Sequence, residues 1–377
     1  MFAIVGMVFG TWAVRIPAIR DALSLSAGTV SVALLALAAG SIVGLVTSGV
    51  LVSRFGGRRV VRAGLVVYCL ALPIVGLTGG LAALIGALVV FGFGKGLMDV
   101  ASNSQGVRIE RAYPTQIMGS FHAVFSGGGV LGAVVGSVVV ALGLSVEAHF
   151  TLVSVVSLVI GLVVSRWLLE NDPSAAGGQH FALPSRKLAG FCAIGFCALF
   201  IEGVGNDWST VFLESAAGAE ASIAALGFGV FSLTMMAGRF LADRIVHRIG
   251  SKRFIRLAAG VAAIGLALTL VVQTTVSLIG FGILGLGLAG VMPVAMSMAG
   301  NHDSETPTES AVAAVSTAGY GGFAIGPVAI GVLADASSLQ VAFLPALGLA
   351  VAIVLLTLTL PTVAQRVDQT QGSPADD

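Results

Sequence analysis

The chain has 377 residues, of which 56% are hydrophobic and only 10% are charged, and its mean hydropathy is +1.02. Soluble domains carry about a quarter charged residues, so this composition excludes a water-soluble fold and makes lipid the solvent for most of the chain. The net charge of +1 gives no electrostatic attraction to nucleic acid. Because the apolar runs are too long for barrel strands, the composition predicts an all-α polytopic membrane protein.

The first apolar run, MFAIVGMVFGTWAV, has to be distinguished from a secretory signal peptide. It lacks a basic start, and it leads into Arg15 and Pro17 instead of a small-residue cleavage site. We therefore interpret it as the first spanning helix. Because this helix starts almost at Met1, we expect the natural start of the protein to lie upstream of it.

Twelve apolar runs approach the roughly 20 residues that a bilayer-spanning helix needs. They cover residues 1–20, 29–52, 60–79, 81–105, 115–140, 149–168, 188–213, 222–243, 254–274, 276–300, 310–334 and 338–361. The polar stretch 169–187 is predicted to be a cytoplasmic linker. It separates an N-terminal six-helix bundle, 1–168, from a C-terminal six-helix bundle, 188–362, and a disordered cytoplasmic tail follows at 363–377.

The distribution of basic residues sets the predicted orientation. With both termini in the cytoplasm, fifteen of the 19 lysines and arginines fall on the cytoplasmic side, as the positive-inside rule requires. Only Arg20 falls in an outer loop, and Arg15, Lys95 and Arg239 lie inside spans. The fifteen are Arg54, Arg58, Arg59, Arg62, Arg108, Arg111, Arg166, Arg186, Lys187, Arg244, Arg248, Lys252, Arg253, Arg256 and Arg366.

Two polar loops resemble each other across the two halves. GVLVSRFGGRR at 49–59 follows the second span, and GRFLADRIVHRIGSKR at 238–253 follows the eighth, with Ser53 and Asp243 in corresponding places. One such loop could simply anchor the chain to anionic headgroups. Two copies favour repeated halves, which are typical of secondary transporters.

These loops resemble the signature loop of the major facilitator superfamily, and the resemblance extends over the whole chain. Several segments are also similar to its YbjJ/fucose-permease-like subgroup: TWAVRIPAIRDALSLS (11–26), GLMDVASNSQG (96–106), FHAVFSGGGVLGAVVG (121–136), IEGVGNDW (201–208) and STAGYGGFAIGPVAIGVLAD (316–335). The resemblance implies a major facilitator fold with loops that gate the cytoplasmic face. The gate residues would be Arg54, Gly56, Arg58, Arg59, Asp243 and Arg244. The family's usual loop aspartate is Ser53 here, which argues against a strong latch in the N-terminal half.

The fourth span carries Lys95, Asp99 and Asn103 at steps of four residues, which places them on one helix face, with Ser102 beside them. Lys95 and Asp99 could neutralise each other within the helix. Alternatively they line a water-filled cavity, where Asp99 changes protonation during transport. The resemblance favours the second interpretation, because Asp99 matches the acid implicated in proton coupling in fucose-permease-like carriers.

The seventh span carries a second polar stripe of Glu202, Asn206 and Ser209. No cation lies within reach on the same helix, so Glu202 is predicted to be protonated or paired across a cavity. Asp207 is predicted to point elsewhere, nearer the outer surface. Trp208 is interpreted either as a membrane-interface residue or as a stacking surface for substrate.

Three further polar or aromatic groups lie within predicted spans. Arg15 either extends towards the outer surface or neutralises Asp99, Glu202 or an anionic substrate. His122 is either a packed, hydrogen-bonded residue or a proton relay. Tyr320 is interpreted as packing.

The sequence contains none of the signatures expected of an ATP-driven pump or an enzyme. GxxxxGK[ST] and HExxH are absent, and there is no nucleophile elbow. Cys69, Cys192 and Cys197 lack metal-site or disulfide spacing and are interpreted as packing residues. We therefore expect no enzymatic activity, metal or cofactor.

The sequence predicts a monomeric secondary transporter of a small polar, sugar-like solute in the cell (inner/plasma) membrane. Protons are the expected coupling ion, and alternating access is the expected mechanism. The site residues would be Arg15, Lys95, Asp99, Asn103, His122, Glu202, Asn206, Trp208 and Ser209. An exporter or uniporter of the same fold is an alternative, and a non-transporting membrane receptor is an alternative of another class.

Overall fold

A computed structural model describes residues 1–110, 112–113, 117–170, 186–302 and 308–360. Within these ranges the chain folds into fifteen α-helices. They are α1 (Phe2–Ala13), α2 (Ile16–Ala22), α3 (Ala27–Phe55), α4 (Gly57–Gly76), α5 (Leu81–Glu110), α6 (Met118–Ala141), α7 (Val146–Val164), α8 (Ala189–Ser215), α9 (Ala221–Ile249), α10 (Ser251–Thr269), α11 (Thr274–Leu288), α12 (Val291–Gly300), α13 (Thr308–Ala336), α14 (Leu339–Ala342) and α15 (Leu344–Thr359). Most of the predicted linker and the whole predicted tail lie outside the described residues.

The helices confirm a polytopic all-α membrane protein. Eleven helical segments of the described chain are long and apolar enough to cross a bilayer. The predicted ninth span corresponds to α10, a 19-residue helix with Lys252, Arg253 and Arg256 near its start. Because of these three charges, α10 is not one of the eleven helical segments that are apolar enough to cross a bilayer. The count of twelve spans therefore stays a prediction.

Three of the predicted spans, the first, the tenth and the twelfth, are each built from two helices; the twelfth consists of α14 and α15, separated at Phe343. The first consists of α1 and α2, which are separated at Val14 and Arg15, just before Pro17. Proline is tolerated in the first turn of a helix but not in its interior, so a new helix starts here. The tenth consists of α11 and α12, which are separated at Ala289 and Gly290.

Paired glycines set the closest helix contacts. Gly40 and Gly44 of α3 face Gly92 and Gly96 of α5, and a Cβ added at any of the four would lie 2.1–2.2 Å from a carbonyl oxygen of the other helix. Such small-xxx-small pairs allow backbones to approach closely in membranes. Gly94 lies against the backbone of Tyr68 on α4, so α5 packs closely against both α3 and α4.

Equivalent helix pairs pack together in the two parts of the chain. In the N-terminal half (α1–α7), α3 packs on α5, α1 on α6 and α4 on α7. In the C-terminal half (α8–α15), α9 packs on α11, α8 on α13 and α10 on α15. The main contacts between halves are α3 with α13 and α6 with α9. Helix α1 also contacts α5 in its own half and α8 in the other half.

The two ends of the bundle differ in their connections. At one end, which we call the linker end, Gly56 joins α3 to α4 and Gly250 joins α9 to α10, with φ angles of 88° and 81°. Glycine adopts this backbone conformation without strain. The opposite end, which we call the far end, carries the turns at 23–26, 77–80, 142–145, 216–220, 270–273 and 337–338.

The turns at Gly56 and Gly250 show that the two repeated loops correspond in a different register from the predicted one. Gly250 follows Gly56 by 194 residues, and the anchoring arginines Arg62 and Arg256 have the same spacing. Arg62 Nε donates to Ser165 Oγ at 2.8 Å, and Arg256 Nε donates to Thr357 Oγ1 at 3.1 Å. Asp243 therefore corresponds to Gly49 and does not occupy the place of Ser53.

Candidate functional site

The lysine and aspartate of α5 form an ion pair. Lys95 Nζ lies 2.6 Å from Asp99 Oδ2, and the two side chains are 15% and 34% exposed. Since the glycines of α5 face α3 and α4, Lys95 lies on the remaining side, with its Nζ 5.8 Å from the centre of the Phe9 ring on α1. The pair therefore lies within one helix, and the Asp99 side chain remains partly exposed.

Asn103 does not extend the polar stripe outward. Its Nδ2 donates to the backbone carbonyl of Asp99 at 2.7 Å. Ser102 is 3% exposed, and its Oγ has no hydrogen-bond partner among the described residues. The stripe predicted on α5 is therefore reduced to Lys95 and Asp99 in this structure.

A second ion pair joins α8 to α9. Glu202 Oε1 lies 3.3 Å from Arg239 Nη2, with side chains 19% and 17% exposed. Arg239 Nη1 also donates to Ser126 Oγ at 2.9 Å and to the carbonyl of His122 at 3.4 Å, both on α6. Arg239 therefore connects the two halves. Arg239 was not among the predicted site residues, although a basic residue inside the span 222–243 is a signal of function.

Glu202 and Arg239 line a cavity between the halves. It is small, about 20 Å³, which is room for about one water molecule, and it lies between α1 and α6 on one side and α8 and α9 on the other. The polar lining groups belong to Ser126, Glu202, Asn206, Ser232 and Arg239. The apolar walls include Phe125, Phe228, Phe231 and Met235. The cavity therefore combines aromatic side chains with a carboxylate, a guanidinium, an amide and two hydroxyls.

Tyr320 of α13 is partly open to solvent. Its side chain is 43% exposed, which differs from the packing role predicted for it. Its exposed fraction leaves it available to a solute or to water.

The structure does not bring Arg15 to either carboxylate. Its side chain is 6% exposed, Nε donates to His149 Nδ1 at 3.1 Å, and Nη2 donates to the Leu144 carbonyl at 2.8 Å. The break between α1 and α2 turns Arg15 towards the start of α7, where Glu147 adds an attractive charge. Arg15 thus anchors two helices of the N-terminal half.

The structure also places Trp208, Ser209 and His122 away from a shared pocket. Trp208 is 0% exposed and donates from Nε1 to the Pro327 carbonyl at 3.0 Å, so its indole offers no face for stacking. Ser209 is also 0% exposed. His122 is exposed and packs edge-on to the Phe2 ring at 5.7 Å.

The residues predicted to form gate loops are held within their own halves or lie at the surface. Arg58 donates to the Ser165 carbonyl at 3.1 Å and pairs with Glu170 at 2.7 Å, all in the N-terminal half. Arg54 lies 5.5 Å from the centre of the Phe55 ring. The remaining three charged gate residues are exposed: Arg59, Asp243 and Arg244.

Bonds between the halves gather at the far end. Ser26 Oγ donates to Asp335 Oδ2 at 2.7 Å, and Ser31 Oγ donates to the Pro327 carbonyl at 3.2 Å. Ser137 Oγ donates to the Ser222 carbonyl at 2.8 Å. These contacts, together with Arg239, hold α3 against α13 and α6 against α9.

Among the described residues, no group of three His, Cys, Asp or Glu side chains could hold a metal ion. Cys69, Cys192 and Cys197 are buried free thiols. The arrangement is that of a polytopic helical carrier with a polar cavity between two halves.

Comparison with known proteins identifies the family. A sequence profile of the Major Facilitator Superfamily matches residues 1–201 and 190–375. The chain is 33% identical over 343 residues to an uncharacterised MFS-type transporter of Yersinia pestis, covering 91% of this chain and 89% of that protein. It is 33% identical over 348 residues to the uncharacterised transporter y4wD of Sinorhizobium fredii, covering 91% of each. The chain therefore belongs to the major facilitator superfamily.

A third relative and a solved structure agree with this assignment. Membrane protein MosC of Rhizobium meliloti is 30% identical over 359 residues, covering 93% of this chain and 86% of MosC. The crystal structure of the nucleoside transporter NupG matches with a TM-score of 0.75 at 13% identity, covering 95% of this chain and 96% of NupG. At that identity the likeness shows the fold alone. The expected transporter class is thus confirmed.

Proposed function

We propose that the chain is a secondary active transporter that moves a small polar solute by alternating access between its two halves. The observation that carries the proposal is the cavity containing Glu202 and Arg239. A charge within a bilayer span costs several kcal/mol, so charged groups around an intramembrane cavity favour a role in binding. Because α6 and α9 both line this cavity, a bound solute would contact both halves.

The lining favours a neutral, polyhydroxylated, sugar-like solute. Glu202 can accept hydrogen bonds from hydroxyls, and Arg239 and Asn206 can donate to oxygens. The Phe228 and Phe231 rings supply apolar surface for the face of a ring. Since Glu202 and Arg239 neutralise each other, the cavity does not require a charged solute.

Alternating access would exchange one set of contacts between halves for another. In this structure the far end is joined by the Ser26–Asp335 and Ser31–Pro327 hydrogen bonds. We infer that transport breaks these bonds and brings the halves together at the linker end. Rigid rocking of two bundles about a central site is the usual solution in repeat-built transporters.

Protons are the proposed coupling ion, and Asp99 is the proposed coupling residue. Asp99 is 34% exposed beside Lys95, so solvent can reach it in this state. The resemblance of GLMDVASN to fucose-permease-like carriers supports the same role. We place the protein in the cell (inner/plasma) membrane as a monomer with twelve spans and cytoplasmic termini.

The experiment is uptake and efflux of a panel of sugars, polyols and nucleosides in vesicles that contain the protein, with and without an imposed pH gradient. We expect one solute class to accumulate with the gradient. Asp99→Asn should abolish the gradient effect, and Glu202→Gln should weaken solute binding at least tenfold. Glu220→Gln, an exposed carboxylate at the far end, is the matched control and should behave as wild type.

Other outcomes separate the alternatives. Movement that ignores the pH gradient in every variant would indicate a uniporter and contradict proton coupling. Movement only out of the cytoplasm would indicate an exporter. No movement of any solute, with a ligand-dependent protein partner, would indicate a receptor and contradict transport.

A further inference from the structure

Asp335 lies at the contact between α13 and α3, where the two halves meet at the far end. Its Oδ2 accepts a hydrogen bond from Ser26 Oγ at 2.7 Å. Ser26 is the N-cap of α3, and its Oγ also accepts from the Thr29 backbone N–H at 3.2 Å. A Cβ added at Gly28 would lie 2.3 Å from the same Asp335 oxygen. The carboxylate of one half therefore lies against the first turn of a helix of the other half.

Close backbone packing surrounds this contact. Pro327, Gly331 and Asp335 follow one another at steps of four residues, so they lie on one face of α13. A Cβ added at Gly331 would lie 2.5 Å from the Ala27 carbonyl oxygen, and Ser31 Oγ donates to the Pro327 carbonyl at 3.2 Å. Of these five residues only Asp335 is charged. The packing thus holds one negative charge at the start of α3.

The place of Asp335 in its own helix is unfavourable for that charge. Asp335 is in the last turn of α13, which ends at Ala336 and has no basic residue in that turn. The C-terminal end of a helix carries a partial negative charge, whereas the N-terminal end carries a partial positive charge. None of the ion pairs among the described residues includes Asp335. Asp335 is therefore stabilised by α3 of the other half and destabilised by its own helix.

A second charged contact between the halves at the far end differs in this respect. Arg20 Nη1 donates to Ser215 Oγ at 2.5 Å, and the same guanidinium pairs with Asp21 of its own half at 2.7 Å. If the halves separate at the far end, Arg20 keeps its carboxylate partner. Asp335 instead loses the start of α3 and is left beside the negative end of α13.

We propose that Asp335 is a charge-dependent latch that stabilises the conformation closed at the far end. Its negative charge interacts favourably with the start of α3 only while α13 and α3 are in contact. When the halves separate there, the charge remains at the end of α13, where it is disfavoured. The charge of Asp335 therefore shifts the balance between the two conformations, in addition to the hydrogen bond from Ser26.

This proposal rests on the proposed function and deepens it, because it names a residue that controls which face of the carrier is open. Alternating access requires only that the hydrogen bond between Ser26 and Asp335 breaks during transport. A neutral acceptor at position 335 would meet that requirement equally well. The latch requires the charge itself.

The test measures the distance between spin labels at Gly79 and Gln273, two exposed far-end positions in opposite halves, in the full-length protein in lipid nanodiscs. Wild type should show a major short distance and a minor long one. Asp335→Asn keeps an oxygen that accepts from Ser26 but removes the charge. The ratio of long to short distances should therefore rise roughly two- to fivefold, while the two distances themselves stay the same.

A second variant and a matched control isolate the charge. Ser26→Asp keeps a good N-cap on α3 but adds a carboxylate beside that of Asp335, so the ratio should rise further than in Asp335→Asn. Glu220→Gln removes an exposed carboxylate at the N-cap of α9, and this residue and helix belong to the same half. Its effect does not depend on which face is open, so the ratio should stay at the wild-type value.

An unchanged ratio in Asp335→Asn, an equal rise in Glu220→Gln, or a Ser26→Asp ratio no higher than that of wild type would overturn the latch. A new distance in place of a changed ratio would show that the side chain only shapes the local structure, and would also overturn it. If Asp335→Asn has no effect while Gly331→Val, a steric clash at the same contact, opens the far end and closes the linker end, the latch fails and alternating access stands.

Discussion

The two ion pairs at the centre of the bundle are built in different ways. Lys95 and Asp99 lie one turn apart on α5, so the helix itself holds them 2.6 Å apart. Glu202 and Arg239 lie on separate helices, 3.3 Å apart, and Arg239 also bonds to Ser126 in the other half. The first pair can persist while the halves move. The second depends on where the halves lie, and this makes it the more sensitive of the two to a change of state.

The largest effect is expected for Arg239→Gln. It leaves the partly buried Glu202 without a cation and removes the bond to Ser126. Breaking a buried pair costs about 3–5 kcal/mol, and the partial exposure of this one places it towards the lower figure. The midpoint of thermal unfolding in detergent should fall, and binding of the solute identified by the transport panel should be lost.

The double variant Arg239→Gln with Glu202→Gln provides the control. Removing both charges takes away the unpaired carboxylate, so the double variant should be more stable than Arg239→Gln alone. If the two substitutions are additive instead, Glu202 and Arg239 do not interact, and the comparison between the two pairs fails.

A smaller effect is expected from Gly128→Val, which tests packing within one half. A Cβ at Gly128 would lie 2.1 Å from the Ala3 carbonyl of α1. Overpacking of this kind typically costs about 1–3 kcal/mol, so thermal stability should fall. Gly49→Val is the matched control, because nothing lies within 4 Å of its added Cβ. Equal losses in the two variants would contradict the close α1–α6 contact.

Trp208→Phe should have a modest effect at the far end. It removes the Nε1 donor to the Pro327 carbonyl, but Ser31 still donates to that oxygen. A single hydrogen bond contributes about 1 kcal/mol net, so a small fall in the unfolding midpoint is expected. Unchanged solute affinity would agree with the buried indole, and a large loss of affinity would favour the stacking role predicted from sequence.

The smallest effect on stability is expected for Asp99→Asn. Partly exposed i,i+4 pairs contribute about 0.3–0.5 kcal/mol, and Lys95 and Asp99 lie on one helix. The unfolding midpoint should change less than in any variant above, although proton coupling should be lost. A fall as large as that of Arg239→Gln would show that the local pair is as structural as the one between helices.

Much of the fold could be predicted from the sequence because spans follow from composition. Glycine pairs such as Gly92 and Gly96 also carry a signal for close packing that is visible in the chain. The position of each break was harder to predict, since the interruption at Ala289 and Gly290 divides a run that is apolar throughout. The register of the two loops was mispredicted because the two sequences were aligned by Asp243. The turn is fixed by the backbone conformation of Gly250, which corresponds to Gly56.

The site was less predictable because helix periodicity describes one helix at a time. It correctly placed Lys95 beside Asp99, but it could not show that Arg239 of another helix faces Glu202. Arg15 looked like a cavity residue because it is charged within a span, yet the break after α1 turns it to His149. Asp207 was predicted to lie nearer the outer surface because it lies off the Glu202 stripe, whereas neighbouring helices leave it only 7% exposed.

The most direct test of alternating access is a pair of distances between spin labels in Gly331→Val. A Cβ at Gly331 would lie 1.6 Å from Ser31 Oγ, so the variant forces α13 away from α3 at the far end. One label pair, at Gly79 and Gln273, reports on the far end, and another, at Ser53 and His247, reports on the linker end; all four positions are exposed. We predict that the far-end distance lengthens and the linker-end distance shortens relative to the parent protein. A longer far-end distance with an unchanged or longer linker-end distance would contradict alternating access between the two halves.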